Sequence, residues 1–137
     1  MNTTDPEVTM PVGVLTAYDC WSLLEDEDVA RIAWATDEGV AIVPVNYHVF
    51  DGALWFRAKP SSAVARQCAD SAVAVEIDHV DREAGTAWSV VVTGTAEIVG
   101  DPIPPEVASM ELWAPGSRTF VIRVHPASVT GRRFWSR

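Results

Sequence analysis

The chain has 137 residues, the size of one ordinary domain, and is 48% apolar with six Trp, which excludes a disordered or collagen-like polymer. Its formal net charge of −9 argues against a general binder of nucleic acid or anionic membrane, because such binding needs a Lys/Arg surface to neutralise phosphates. Cys20 and Cys68 stand in neither CxxC nor metal-ligand spacing, the first residues lack a basic and apolar leader, and no stretch reaches ~18 apolar residues. A reduced, cytoplasmic protein without a membrane span is therefore expected.

Residues 1–17, rich in Thr, Pro and acid, read as a loose arm able to dock on the body, ahead of one domain over 18–137. Cys20-Trp21-Ser22-Leu23-Leu24 places Trp21 and Leu24 on one face of a short helix, with Asp19 as a candidate cap. Glu25 to Asp28 reads as a solvated turn, since no second ligand cluster accompanies these acids. Three strands follow, Ala30 to Thr36, Val40 to Phe50 and Ala53 to Ala58. Turns at Asp37-Glu38-Gly39 and Asp51-Gly52 separate them, and Asp-Gly between apolar runs is a strong hairpin signal. Pro60 to Ala69 predicts a helix burying Val64, Ala65 and Cys68, and Ala72 to Asp78 a strand.

Thr86 to Val99 is the longest predicted strand, with Trp88, Val90, Val92, Gly94, Ala96 and Ile98 on the core face. A break at Asp101 to Pro105 precedes a helix over Glu106 to Trp113, stopped by Pro115-Gly116. Two closing strands, Arg118 to Val124 and about Ser128 to Trp135, complete a mainly β chain. Six to seven mostly antiparallel strands with two to three short helices predict a small barrel, which removes exposed sheet edges.

Chemistry concentrates in two segments. Arg57 and Lys59, two apart in a strand, leave on the same side, and Ser61 and Ser62 follow at a helix start whose unpaired N–H groups attract anions. This is a phosphate cradle, or else a capped helix flanked by two solvent-facing cations. In Pro44-Val45-Asn46-Tyr47-His48, Pro44 marks an edge, a bulge or a ligand's approach, and Asn46 and His48 share its face. An amide and an imidazole would then look into one cavity; otherwise Asn46 is a buried side chain satisfying sheet ends and His48 an ordinary barrel-mouth or interface residue. His79 among Glu76, Asp78 and Asp81 fits a polar strand end better than a metal site. There is no GxSxG, HExxH or P-loop.

The joint order of several motifs is more specific. Cys20-Trp21-Ser22-Leu23-Leu24 is followed by Pro44-Val45-Asn46-Tyr47, Asp51-Gly52, Phe56-Arg57 and Pro60-Ser61-Ser62. Then come Val75 to Asp81, Ala87 to Gly94, Trp113-Ala114-Pro115-Gly116 and Val129-Thr130-Gly131-Arg132-Arg133. Over about residues 18–135 this resembles the actinobacterial branch of the pyridoxamine 5′-phosphate oxidase-like flavin-binding proteins, near the nitroimidazole-resistance group. The resemblance implies a split β-barrel homodimer with FMN between subunits. Arg57, Lys59, Ser61 and Ser62 would meet the phosphate, and Val45, Asn46, Tyr47, Trp88 and Ser89 would lie along the ring. Trp113 and Arg132-Arg133 would come from the other subunit. Where relatives commonly carry a Lys after the Pro-x-Ser/Thr turn this chain has Ala63, which removes a contact worth ~1.5–3 kcal/mol.

The expected activity is an FMN-dependent oxidoreductase acting on a small aromatic or heteroaromatic molecule. The flavin would carry the redox step, so no catalytic side chain and no metal is nominated. The alternatives are a deazaflavin-dependent reductase and a dimeric module that binds a flavin or another ligand without turnover or has lost its cofactor, which Ala63 favours more than a Lys would.

Overall fold

The computed structural model describes residues 12–109 and 119–136. Its elements in chain order are β1 (Val12–Val14), α1 (Ala17–Leu24), β2 (Val29–Thr36), β3 (Gly39–Phe50), β4 (Ala53–Ala58), α2 (Ala63–Gln67), β5 (Ala72–Asp81), β6 (Thr86–Val99), α3 (Pro105–Ala108) and β7 (Phe120–Trp135). The β3–β4 hairpin forms where Asp51 and Gly52 take φ of 51° and 68°, the left-handed pair that a two-residue turn between twisted strands requires.

The strands form one antiparallel sheet in the order β1-β7-β4-β3-β2-β5-β6, and β6 pairs again with β7, so the sheet curls into a partly closed barrel. Inward residues fill it: Ile32, Val75, Ile77, Val90, Val92, Ala96 and Val124 are all 2% exposed or less. On the expected inner face of β6, Val90, Val92 and Ala96 are buried, while Trp88 and Ile98 are only half-buried against the core. Cys20 and Leu24 of α1 join this core beside Tyr47, while α2 contributes Val64 and Ala65 near Trp34. A smaller cluster of Ala53, Trp55, Val107 and Val121 lies on the outer face of β4 under α3, which is why both faces of β4 are buried.

The arm over 1–17 docks on the body through β1, which pairs with β7. Other sequence expectations shift: Thr16 rather than Asp19 caps α1, accepting from the Asp19 N–H. The predicted helix over 60–69 shortens to Ala63–Gln67, because Ser62 is its cap and Asp70 turns left-handed at φ 60°. The two predicted closing strands are one: pairing continues through Thr95 with His125 and Gly94 with Pro126, and a bulge beside Thr93 absorbs the proline. The third helix is Pro105–Ala108 with Ser109 as its C-cap; residues 110–113 of the expected span, Trp113 among them, and Pro115-Gly116 lie outside the described residues.

Candidate ligand-binding site

β3 serves two neighbours: Gly39 to Asn46 pairs with β2, and Tyr47 to Phe50 pairs with β4. Beyond the Tyr47–Phe56 pair β3 and β4 part, and a cavity of about 430 Å³ opens between them. That volume lies within the ~300–1,000 Å³ of small-molecule pockets. The Tyr47 N–H donates to the Asp28 carbonyl on the β2 side, and N–H directions alternate along a strand. Position 44 therefore faces the open side, where the N–H that Pro44 lacks costs no ladder bond.

One wall of the cavity is Val43 to Asn46; the other is Arg57 to Lys59 with Ser61 to Val64. The fold thus gathers six predicted site residues: Val45, Asn46, Arg57, Lys59, Ser61 and Ser62. Val43, Ala58 and Val64, which the sequence did not mark as site residues, complete its apolar lining. Ser62 Oγ accepts from the Ala65 N–H at 3.3 Å and donates to the Lys59 carbonyl at 2.7 Å, so it is committed to the turn. Trp34 Nε1 donates to Gln67 Oε1 at 2.8 Å, tying the far end of α2 to β2. Ala63 is exposed on the cavity wall.

The two cations differ in their commitments. Arg57 is half-buried, donating through Nη1 to Thr119 Oγ1 and through Nη2 to the Ala108 carbonyl, each at 3.3 Å. Its Nε is buried and has no hydrogen-bond partner among the described residues. A buried donor left unpaired costs ~1–3 kcal/mol, so an anion accepting from it would remove that cost. Lys59 is exposed, with no ion pair among the described residues.

Asn46 and Tyr47 leave opposite faces of β3. Asn46 Nδ2 donates to the Asp28 carbonyl at 2.7 Å. Tyr47 is 2% exposed and its hydroxyl donates to the Leu24 carbonyl. Burial, with Glu27, Asp28 and Asp26 nearby, holds that phenol far above the ordinary tyrosine range. Its side chain belongs to the core, and it does not line the cavity between β3 and β4. His48, expected to share a cavity with Asn46, lines a separate acidic concavity with Glu25 to Asp28.

Trp88 and Ser89 also lie away from the cavity. They pair with Arg133 and Arg132, and Ser89 lines another concavity, about 560 Å³, with Val14, Val91, Arg132 and Phe134. Trp113 lies outside the described residues. Among the described residues no group of three or more His, Cys, Asp or Glu is placed to hold a metal ion, and no helix is long and apolar enough to cross a membrane.

A partly closed antiparallel barrel, with a basic strand end and a capped helix start facing a cleft between diverging strands, defines a class of split-barrel protein. Residues 16–133 match the pyridoxamine 5′-phosphate oxidase family, and the chain belongs to it. It is similar to an uncharacterized protein of Mycobacterium tuberculosis, 34% identical over 93% of this chain and 89% of that one. Among solved structures it resembles an FAD binding protein from Mycobacterium smegmatis, 32% identical with a TM-score of 0.78 over 89% of this chain and 98% of that one. A putative pyridoxamine 5′-phosphate oxidase from Corynebacterium glutamicum is 30% identical, with a TM-score of 0.76 over 93% and 96%. A putative 5-nitroimidazole antibiotic resistance protein from Bacteroides thetaiotaomicron, 16% identical with a TM-score of 0.69 over 92% and 89%, shares the fold.

Proposed function

We propose that this protein is a homodimeric, FMN-dependent oxidoreductase of small aromatic or heteroaromatic molecules. The observation that carries the reading is the convergence on one cavity of two cations, a helix start and the open flank of β3. The unpartnered Arg57 Nε fits an anionic phosphate oxygen. The flavin, when bound, supplies the electron transfer. This chain's residues bind and orient it: Arg57 and Lys59 meet the phosphate with Ser61, while Val43, Val45, Ala58 and Val64 keep water from the apolar wall. Ser62 keeps the helix start open toward the cavity through its own turn. Two buried, unpaired thiols, Cys20 and Cys68, go with a reducing cytoplasmic setting.

Dimerisation is supported by two features of a single chain. The Ser89–Arg132 concavity is separate from the phosphate cavity, so a two-fold partner would unite them. The outward side of β3 leaves Val40 and Ile42 at 79% and 60% exposed, as an interface would. A monomer by light scattering at micromolar concentration would overturn this part.

The dinucleotide FAD is the second reading. Ala63 leaves no third cation at the phosphate end and a small side chain where a longer ligand would pass, and the Mycobacterium smegmatis relative is an FAD binding protein. Fluorescence titration with FMN, FAD, riboflavin and a deazaflavin separates the cases. The cleaner variant is Lys59→Ala, since Arg57 also ties Ala108 and Thr119 to β4. It is expected to weaken FMN roughly ten- to a hundredfold and riboflavin, which lacks the phosphate, much less. Equal losses for both would remove the phosphate cradle; no saturable binding of any of the four would remove the flavin function.

A further inference from the structure

We infer that Asn46 is a specificity-determining residue that reads the imide N–H of the bound ring system, with Asp28 locking its amide in the required orientation. The inference rests on the flavin reading above and assigns a recognition element within it.

The carbonyl of Asp28 can only accept, so the Asn46 atom 2.7 Å from it must be the NH₂ nitrogen. The same carbonyl accepts the Tyr47 N–H at 3.0 Å, which fills its second lone pair. Turning the amide round would set Oδ1 against this oxygen, acceptor against acceptor, and lose a bond. The orientation is therefore held by the backbone of the β2 entry rather than by a ligand. Asp28 belongs to the rim of the acidic concavity, whereas Asn46 lines the cavity between β3 and β4. With Nδ2 drawn to Asp28, Oδ1 is left to the cavity, and it makes no hydrogen bond with the described residues. The site thus presents an acceptor beside Pro44, on a stretch where position 44 has no N–H to offer.

An acceptor in that place selects a ligand with a ring N–H. The oxidised isoalloxazine has one such group, N3–H, lying between two carbonyls; a deazaflavin keeps it, and an N3-methylated flavin does not. A ring lacking the donor would leave Oδ1 desolvated and unpaired, the asymmetry by which polar sites reject an analogue missing one N–H.

The test compares riboflavin with N3-methylriboflavin by fluorescence titration, on the unmutated protein and on Asn46→Ala. The unmutated protein is expected to prefer riboflavin by at least roughly tenfold. In Asn46→Ala riboflavin binding weakens and the preference falls toward unity. Equal affinities for the unmutated protein, or an undiminished preference in a folded Asn46→Ala, would overturn the inference and leave the flavin reading standing. Binding of neither compound by the unmutated protein would instead remove the flavin reading and this inference with it. The comparison on the unmutated protein requires no variant, so equal affinities there overturn the inference even where Asn46→Ala misfolds.

Discussion

Gly94→Ala tests the barrel closure that shapes the whole molecule. At this position β6 meets the bulge of β7, and a Cβ would stand 2.8 Å from the His125 carbonyl carbon and 3.1 Å from Pro126 Cα, with the carbonyl oxygen nearer still. Ordinary carbon contacts lie at ~3.5–4.0 Å, so the strands would have to separate by about 0.7 Å or more. The obstacle is backbone, which no rotamer change relieves. Separation strains the ladder on both sides of Gly94, between Thr93 and Ser128 and between Thr95 and His125. We expect a loss of ~2–4 kcal/mol, from overpacking and weakened hydrogen bonds, out of the ~5–15 kcal/mol of a typical domain. Thermal melting followed by circular dichroism, at matched protein concentration, should show Tm lowered by roughly 6–16 °C. Gly100→Ala is the control: nothing lies within 4 Å of a Cβ there, and the change should be neutral or stabilising by up to ~1 kcal/mol. If Gly94→Ala melted with Gly100→Ala, the closure of β6 on β7 described above would be wrong.

Tyr47→Phe removes the hydroxyl that the Leu24 carbonyl accepts from within the core and should cost ~1–3 kcal/mol in urea unfolding; an unchanged midpoint would deny that bond. Glu76 is pushed from its ordinary value of 4.5 to about 7, chiefly by burial and also by Asp78, against the opposing pull of Arg31. A raised carboxyl favours the folded state while protonated, so its stabilisation is full below 4.5 and lost as pH rises through about 7. Glu76→Gln should flatten the pH dependence of Tm across that window, and an unaltered profile would refute the assignment. Burial raises both thiols, Cys68 to about 11, so native protein at pH 8 should react slowly with a thiol reagent and take up two equivalents only on unfolding. Fast labelling of the native state would contradict that burial.

Local rules made much of this protein legible from its residues. Asp51-Gly52 specified a hairpin because few residues accept left-handed φ at both central positions, and alternation along Thr86 to Val99 specified a strand with one face in the core. The grouping of Arg57, Lys59, Ser61 and Ser62 followed likewise from contiguity at a strand end. Tertiary structure decided what those residues are free to do. Arg57 is engaged by Ala108 and Thr119, which lie 51 and 62 positions away, and no local pattern encodes such partners. Tyr47 and Asn46 leave opposite faces of β3, and the change of partner between them, from β2 to β4, opens a cavity that Asn46 lines while Tyr47 points into the core. Trp88 and Ser89 carry ring-lining side chains in the resemblance, yet their strand sets them beside Arg133 and Arg132, away from the phosphate cavity. Periodicity reports which face of a strand a side chain occupies; which strand lies opposite, and where two strands part to leave a cavity, depends on pairings between distant segments that only the closed barrel brings together.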